Sequence, residues 1–257
     1  TEWSDLDVHL SSVTDQFATV AVVGPNARNL MKVLCHDIDF ERDNFKFMQW
    51  RPGTVCGVQA RVMRISFSGE LAYEINIEAN YGRYIWDEVA LAGKPWNITP
   101  YGTESMHVLR AEKGYIIVGQ DTDGSMTPMD VNMKWILAKD KPFSYIGRRS
   151  FSISALNSDD RFQLVGLLTK DAHVVLPEGS HIINNKGGSI GYVTSSYFSP
   201  ILRRSIAMAQ LKGGLSKMTE IVLVKIVQEK QGLKEIPCEV SSSVFYDIEG
   251  EKVDGNE

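Results

Sequence analysis

At 257 residues, 43% hydrophobic and 23% charged, the chain has ordinary globular composition and enough apolar material for one large core or two smaller ones. A formal charge of −5 excludes broad nucleic-acid affinity, which needs a positive surface to displace phosphate counterions. No apolar run reaches the length of a membrane span and no charged-then-apolar leader opens the chain, so neither a membrane nor a secretory route is expected and the cytoplasm is the default.

Cys35, Cys56 and Cys238 are odd in number and far apart, which reads as three reduced core residues rather than a zinc site or a disulfide framework. The first residue, Thr1, is read as lying inside a longer protein.

In chain order, residues 17–24 (FATVAVVG) are β-branched and apolar, and Pro25 then opens NARNLMKVL, so a strand followed by a helix is predicted. Residues 58–67 and 71–78 flank a Ser68-Gly69-Glu70 turn; Tyr73, Ile75 and Ile77 alternate with Glu74, Asn76 and Glu78, which predicts a half-buried hairpin. A helix over 81–91 takes Asn80 as its N-cap and Gly93 as its stop, with Ile85, Val89 and Ala92 on one side. A second helix fits 104–113, capped by Thr103 and closed by Gly114. This order is most of a ferredoxin-like βαββαβ unit, an α+β domain with helices on one face of an antiparallel sheet.

From about Asp160 the character changes to short β-rich runs, 162–169 and 189–194, broken by Pro177-Glu178-Gly179 and Asn185-Lys186-Gly187-Gly188, which predicts a small C-terminal β-barrel. The polar stretch 154–161 is the linker candidate, dividing the chain into 1–153 and 154–257. The acidic tail from Glu249 is expected to fray.

Self-contained catalytic motifs are missing: there is no P-loop, GxSxG elbow or HExxH helix. His107, inside a predicted helix, is read as a structural histidine, and His173 and His181 as surface imidazoles. Asp121 and Asp123 in GQDTDG fit Asx-turn chemistry better than a metal loop, so no metal site is assigned. Glu74 carries two readings, a solvated strand residue or a carboxylate whose two oxygens accept from the adjacent ring N–H and amino group of a heterocycle. Phe67, across the turn, is either strand core or an aromatic face for such a ring.

These residues resemble the aminomethyltransferase family of the glycine cleavage system, the T-protein. ISFSGELAYE at 65–74 is similar to its GYTGEDGFE hairpin, with Gly69, Glu70 and Glu74 matching. Gly102 followed by Leu109-Arg110-Ala111-Glu112-Lys113-Gly114, then Gly119-Gln120-Asp121, resembles its LRLEAG and YGQD motifs. Tyr145-Ile146-Gly147-Arg148 resembles FIGR, and residues 190–200 resemble its barrel motif IG.VTSG.YSP.

Within that family the run MHVLRAEKGYIIVGQDTDG and the LPEG at 176–179 look like the branch of heterotetrameric sarcosine oxidase alpha subunits. The resemblance implies a tetrahydrofolate site at Glu74, with Phe67 where the family has a folate-contacting tyrosine. Met106 stands where the family has a folate-binding arginine, so no such contact carries over. It also implies that the family's catalytic aspartate falls upstream of this chain, so no catalytic residue is assigned within it. FAD, FMN and NAD would belong to a parent complex with a sarcosine oxidase beta subunit and others, and a fragment of this extent would be inactive alone. The rival readings are a stand-alone aminomethyltransferase, a dimethylglycine-dehydrogenase-type folate domain, or a non-enzymatic folate-binding assembly factor. The last carries a cysteine-containing KGCY-type motif where this chain has Glu112-Lys113-Gly114-Tyr115.

Overall fold

The computed structural model describes residues 5–138, 140–228 and 232–255. They form two compact units, one running up to Tyr101 and taking in the segment from Gly250, the other from Gly102 to Glu249.

In the first unit, strand β1 (Phe17–Val23) buries Val20 and Val22 on one face. Helix α1 (Ala27–Leu34) follows and places Ala27, Leu30, Met31 and Leu34 inward, the i, i+3, i+4, i+7 stripe of a helix with one apolar side. Strands β2 (Trp50–Val55) and β3 (Val58–Met63) are joined by Cys56 and Gly57, both at positive φ (48° and 81°), the backbone that lets a two-residue turn follow the strand twist. Strand β4 (Ala72–Glu78) buries Tyr73, Ile75 and Ile77 as the alternation predicted. The sheet runs β1-β4-β3-β2, antiparallel throughout.

The described order is therefore βαβββα, one strand more between the helices than the expected ferredoxin-like βαββαβ unit. The added strand is β2, hidden in the sequence by Pro52 at its centre. Proline is tolerated there because β2 lies at the sheet edge, where a missing N–H spoils no inner ladder.

The β3–β4 connection is also wider than predicted. Strand β3 stops at Met63, and residues 64–71 form an irregular turn in which Ser66 Oγ accepts from Gly69 N (3.0 Å) and Ser68 Oγ from Glu70 N (3.3 Å). Helix α2 (Gly82–Ala92) begins one residue later than expected, behind a 3-10 turn over Ala79–Tyr81, and Asn80 makes no capping bond. Its Ile85 and Val89 reach the core, which Phe40, Phe45 and Tyr73 share as an aromatic cluster with centroids 5.3–5.9 Å apart.

The second unit opens with helix α3 (Thr103–Glu112), which starts at the residue expected to cap it; Gly102 takes the cap position without a side-chain bond. Strands β5 (Phe162–Thr169), β6 (His181–Ile183), β7 (Ser189–Ser199), β8 (Arg204–Lys212), β9 (Ile221–Gln228) and β10 (Gly232–Ser241) close a barrel, the architecture the sequence predicts, in the order β10-β5-β8-β7-β6-β9. Closure removes the sheet edges that would otherwise be unpaired. Its core holds Val165, Leu167, Ala207, Ala209, Leu211 and Val224.

The expected linker, 154–161, ends on an anchored residue, since Arg161 Nη2 donates to the buried Asp130 at 2.7 Å. One expectation is corrected. The tail does not fray over 249–255, because Arg64 Nη2 holds Asp254 Oδ1 at 3.0 Å. Composition predicts solvation for an acidic tail; a buried arginine outweighs it here.

Gly166 in β5 shows how tightly the barrel wall is packed: a Cβ there would lie 2.1 Å from the Ser242 carbonyl oxygen. Gly166→Ala is expected to cost about 1–3 kcal/mol, the range for overpacking. Gly124 is the control, since a methyl group there would meet nothing within 4 Å. Gly124→Ala should stay within about 0.5 kcal/mol of wild type in urea unfolding.

Candidate functional site

Strand β4 turns Glu74 away from the core because its neighbours Tyr73 and Ile75 take the core face. Glu74 sits in register with Ala21 of β1 and Met63 of β3, between an uncharged small residue and an uncharged thioether. The side chain is half-buried, and desolvation alone pushes its carboxyl above the ordinary glutamate range. Neither a hydrogen bond nor an ion pair reaches that carboxylate among the described residues. A half-desolvated pair of acceptor oxygens without a donor is chemistry left open, and a group with two adjacent N–H donors would complete it.

Tyr101 belongs to the same neighbourhood. Burial pushes its hydroxyl up, and the charge of Glu74 adds to the shift in the same direction. The sequence reading missed this residue, although it heads the stretch 101–124 that carried the resemblance. Phe67 lies on the irregular turn between β3 and β4 and is 39% exposed, so it is not the core residue that one reading made it. Two clefts lie elsewhere, and Glu74 lines neither. One of about 190 Å³ sits in the first unit beside Gly24, Asn26, Trp96 and Asn97. Another of about 200 Å³ sits in the second unit beside Leu168, Arg204 and Phe245.

The stretch 101–124 has a different task. Arg110 and Asp121 are both fully buried and paired, with Nη1 donating to Oδ2 at 2.6 Å. Asp121 collects three more donors: Ile117 N at 2.8 Å, Thr194 Oγ1 at 2.5 Å and Ser195 Oγ at 2.7 Å. Ser195 Oγ in turn accepts from Arg110 Nη2 at 2.6 Å and from Gln120 Nε2 at 3.1 Å.

Asp121 is thus neither a metal ligand nor part of an Asx turn. The Asx turn falls to Asp123, whose Oδ1 accepts from Ser125 N and Oγ at 2.8 and 2.6 Å. Among the described residues no cluster of His, Cys, Asp and Glu could hold a metal ion. His107 lies 6.5 Å from the Tyr197 ring, His173 stacks on Phe198 at 5.8 Å, and His181 Nδ1 pairs with Ser189 Oγ at 2.9 Å, so each imidazole has an ordinary packing partner. No helix among the described residues is long and apolar enough to cross a membrane.

The sheet unit, the closed barrel and the buried network of family motifs define a class, and comparison with known proteins agrees. The family model described as "GCVT N-terminal domain" matches residues 1–141, and "Glycine cleavage T-protein C-terminal barrel domain" matches residues 163–247. The chain belongs to the glycine cleavage T-protein family.

More particularly, it is 45% identical to the "Sarcosine oxidase subunit alpha" of Corynebacterium sp. (strain P-1), over 99% of this chain and 26% of that protein. It is 29% identical to the mitochondrial "Dimethylglycine dehydrogenase" of Homo sapiens, over 86% of this chain and 25% of that protein. The chain spans about a quarter of the length of these relatives. The crystal structure of the glycine cleavage system aminomethyltransferase T from Bartonella henselae has the same fold, with a TM-score of 0.76 at 22% identity over 90% of this chain and 60% of that one.

Removing one member of a buried ion pair leaves the other charge uncompensated. Asp121→Ala is expected to cost about 3–5 kcal/mol, and Arg110→Met/Asp121→Leu, which removes both charges, less than that single change. Urea unfolding of the three proteins gives the comparison; a double variant less stable than Asp121→Ala would contradict it.

Proposed function

We propose that this chain is the tetrahydrofolate-binding part of a sarcosine oxidase alpha subunit, with Glu74 as the residue that reads the folate ring. The observation that carries it is the state of Glu74: a half-buried carboxylate, its pKa raised by desolvation, without a donor among the described residues. Its two oxygens match the adjacent ring N–H and amino donors of an aminopyrimidine edge, a charge-assisted pair of hydrogen bonds. Tyr101 lies near enough for the Glu74 charge to raise its hydroxyl's pKa, and the turn before β4 carries Phe67, partly exposed. The division into a folate-binding domain, 1–153, and a barrel domain, 154–257, is part of the proposal and is supported by the separate matches to the two halves of the family.

Bound tetrahydrofolate supplies the amine nitrogens that accept a one-carbon unit. In the assembled complex, sarcosine would lose two electrons and two protons to a flavin, which would pass them to oxygen to give hydrogen peroxide. The one-carbon unit would pass to tetrahydrofolate, releasing glycine and methylenetetrahydrofolate. What this chain contributes is orientation by Glu74 and exclusion of water, which would otherwise hydrolyse the oxidised amine to formaldehyde. FAD, FMN and NAD, the beta subunit and the remaining subunits belong to the same proposal. The identity to a sarcosine oxidase alpha subunit over nearly the whole chain favours this donor over that of a dimethylglycine dehydrogenase or a stand-alone aminomethyltransferase.

Calorimetry with folinic acid tests the reading, on this chain and on the longer subunit. Glu74→Gln is expected to weaken binding at least tenfold, roughly 1.4 kcal/mol, and unchanged binding would refute the assignment. The pH dependence has a definite sign. Only the carboxylate accepts two donors, and burial makes Glu74 protonate at a higher pH than an ordinary glutamate, so wild-type affinity falls as pH drops through that raised pKa. The glutamine variant should lack this step. Linkage runs the other way for the unliganded fold: the raised pKa favours folding below the ordinary glutamate range, a contribution lost as pH rises through the raised value.

A further inference from the structure

Three arginines of the first unit converge on one residue of its last segment. Arg64, 1% exposed, donates from Nη1 to the Phe45 carbonyl (2.5 Å) and from Nη2 to the Val253 carbonyl (3.3 Å) and Asp254 Oδ1 (3.0 Å). Arg42 Nη2 reaches Asp254 Oδ2 at 3.4 Å, and Arg28 Nη2 donates to the Asp254 carbonyl at 3.2 Å. Arg28 has no carboxylate within ion-pair distance among the described residues. Its Nε, the Nε of Arg64 and the hydroxyl of the fully buried Tyr73 are all buried without a hydrogen bond of good geometry. Burial pushes that hydroxyl's pKa up, and the charge of Arg28, its N–H groups close to the phenol oxygen, and the charges of Arg64 and Lys32 oppose the push, so the phenol's own proton is the group left to donate.

Buried donors left without partners are costly, and natural interiors rarely keep several together without a reason. Here one carboxylate answers more than one guanidinium. Asp254 is itself held at the rim, its side chain 38% exposed, and Gly255 next to it packs so close that a Cβ would lie 3.3 Å from Arg28 Nη1. The segment therefore fits the cluster as a ligand fits a site: one anionic group, backbone carbonyls beside it, and no side chain in the way.

We propose that Arg28 and Arg64, with the Tyr73 hydroxyl, form an oxyanion site that the chain's own Asp254 occupies in this structure and that a small free oxyanion takes when residues 250–255 lift away. A tetrahedral dianion such as phosphate suits it better than a single carboxylate, since it offers acceptors to both guanidinia and to the phenol at once. The site is independent of the folate reading, because neither Glu74 nor Tyr101 takes part.

The test is calorimetric titration of the full chain with inorganic phosphate at fixed ionic strength, with acetate as a second arm that separates a tetrahedral oxyanion from a carboxylate source. Asp254→Asn keeps the backbone contacts and removes the competing charge, so it should bind phosphate at least tenfold more tightly than wild type. Adding Arg28→Gln to that variant should abolish the gain. Binding of acetate instead of phosphate, with the same dependence on Arg28, supports the site with a carboxylate ligand. Equal affinity in wild type and Asp254→Asn, or a gain that survives Arg28→Gln, overturns the proposal. Should Asp254→Asn fold poorly, phosphate is expected to restore its cooperative melting, and failure to do so overturns it as well.

Discussion

The ion pair between Arg110 and Asp121 is the interaction on which the second unit depends. Both side chains are fully removed from water, so each bears a desolvation cost that only close geometry and further hydrogen bonds can offset. Four donors surround Asp121, and they come from α3, the loop after it and β7; Gln210 of β8 adds a bond to the Asp121 carbonyl at 2.8 Å. A change in register of any of these elements would leave a buried charge facing an apolar interior. The pair therefore sets where α3 and its loop lie against the barrel strands, more than it adds net stability.

The same logic accounts for the neighbouring polar contacts. Glu112 at the end of α3 accepts from Ser199 Oγ at 2.6 Å, and its backbone carbonyl accepts from Phe245 N and Tyr246 N. Lys113 bonds the Asp247 carboxylate at 2.9 Å, and Gly114 takes a positive φ of 68° where a side chain would strike the Ser243 carbonyl. Residues that mark lineage in the sequence, LRAEKG and GQD, are thus packing residues held by chemistry that tolerates little change. They identify the family through the fold they hold together.

Against that background of answered charges, the exceptions stand out. Among the described residues Glu74 is half-buried and has no donor, and Arg28 is part-buried and has no carboxylate within ion-pair distance, only the Asp254 carbonyl. The first lies on the outer face of the sheet, the second behind the opposite face with Tyr73, so the two faces of one four-stranded sheet carry distinct unfinished electrostatics. Where Arg110 and Asp121, Lys113 and Asp247, and Arg161 and Asp130 are paired, an ionisable group without such a partner is informative.

Much of this was legible in the sequence because it rests on local periodicity. The alternation in 71–78 fixed which side of β4 is core, Pro25 after a β-branched run announced α1, and glycine-punctuated β-rich runs announced the barrel. Motif order revealed the family and pointed at Glu74. What escaped was decided by contacts between residues far apart in the chain. β2 was hidden because a proline is acceptable only at a sheet edge, and the edge exists only once four strands have been ordered. Asp121 looked like turn chemistry because its partners, Arg110, Thr194 and Ser195, lie up to 74 positions away. Asp254 looked like a fraying tail because Arg64, 190 positions earlier, is what holds it. Sequence alone determined which residues face inward, since that follows from the geometry of a helix or strand. Only the tertiary structure decided which buried charges meet a partner, because desolvation and Coulomb attraction depend on distances that the chain's order does not encode.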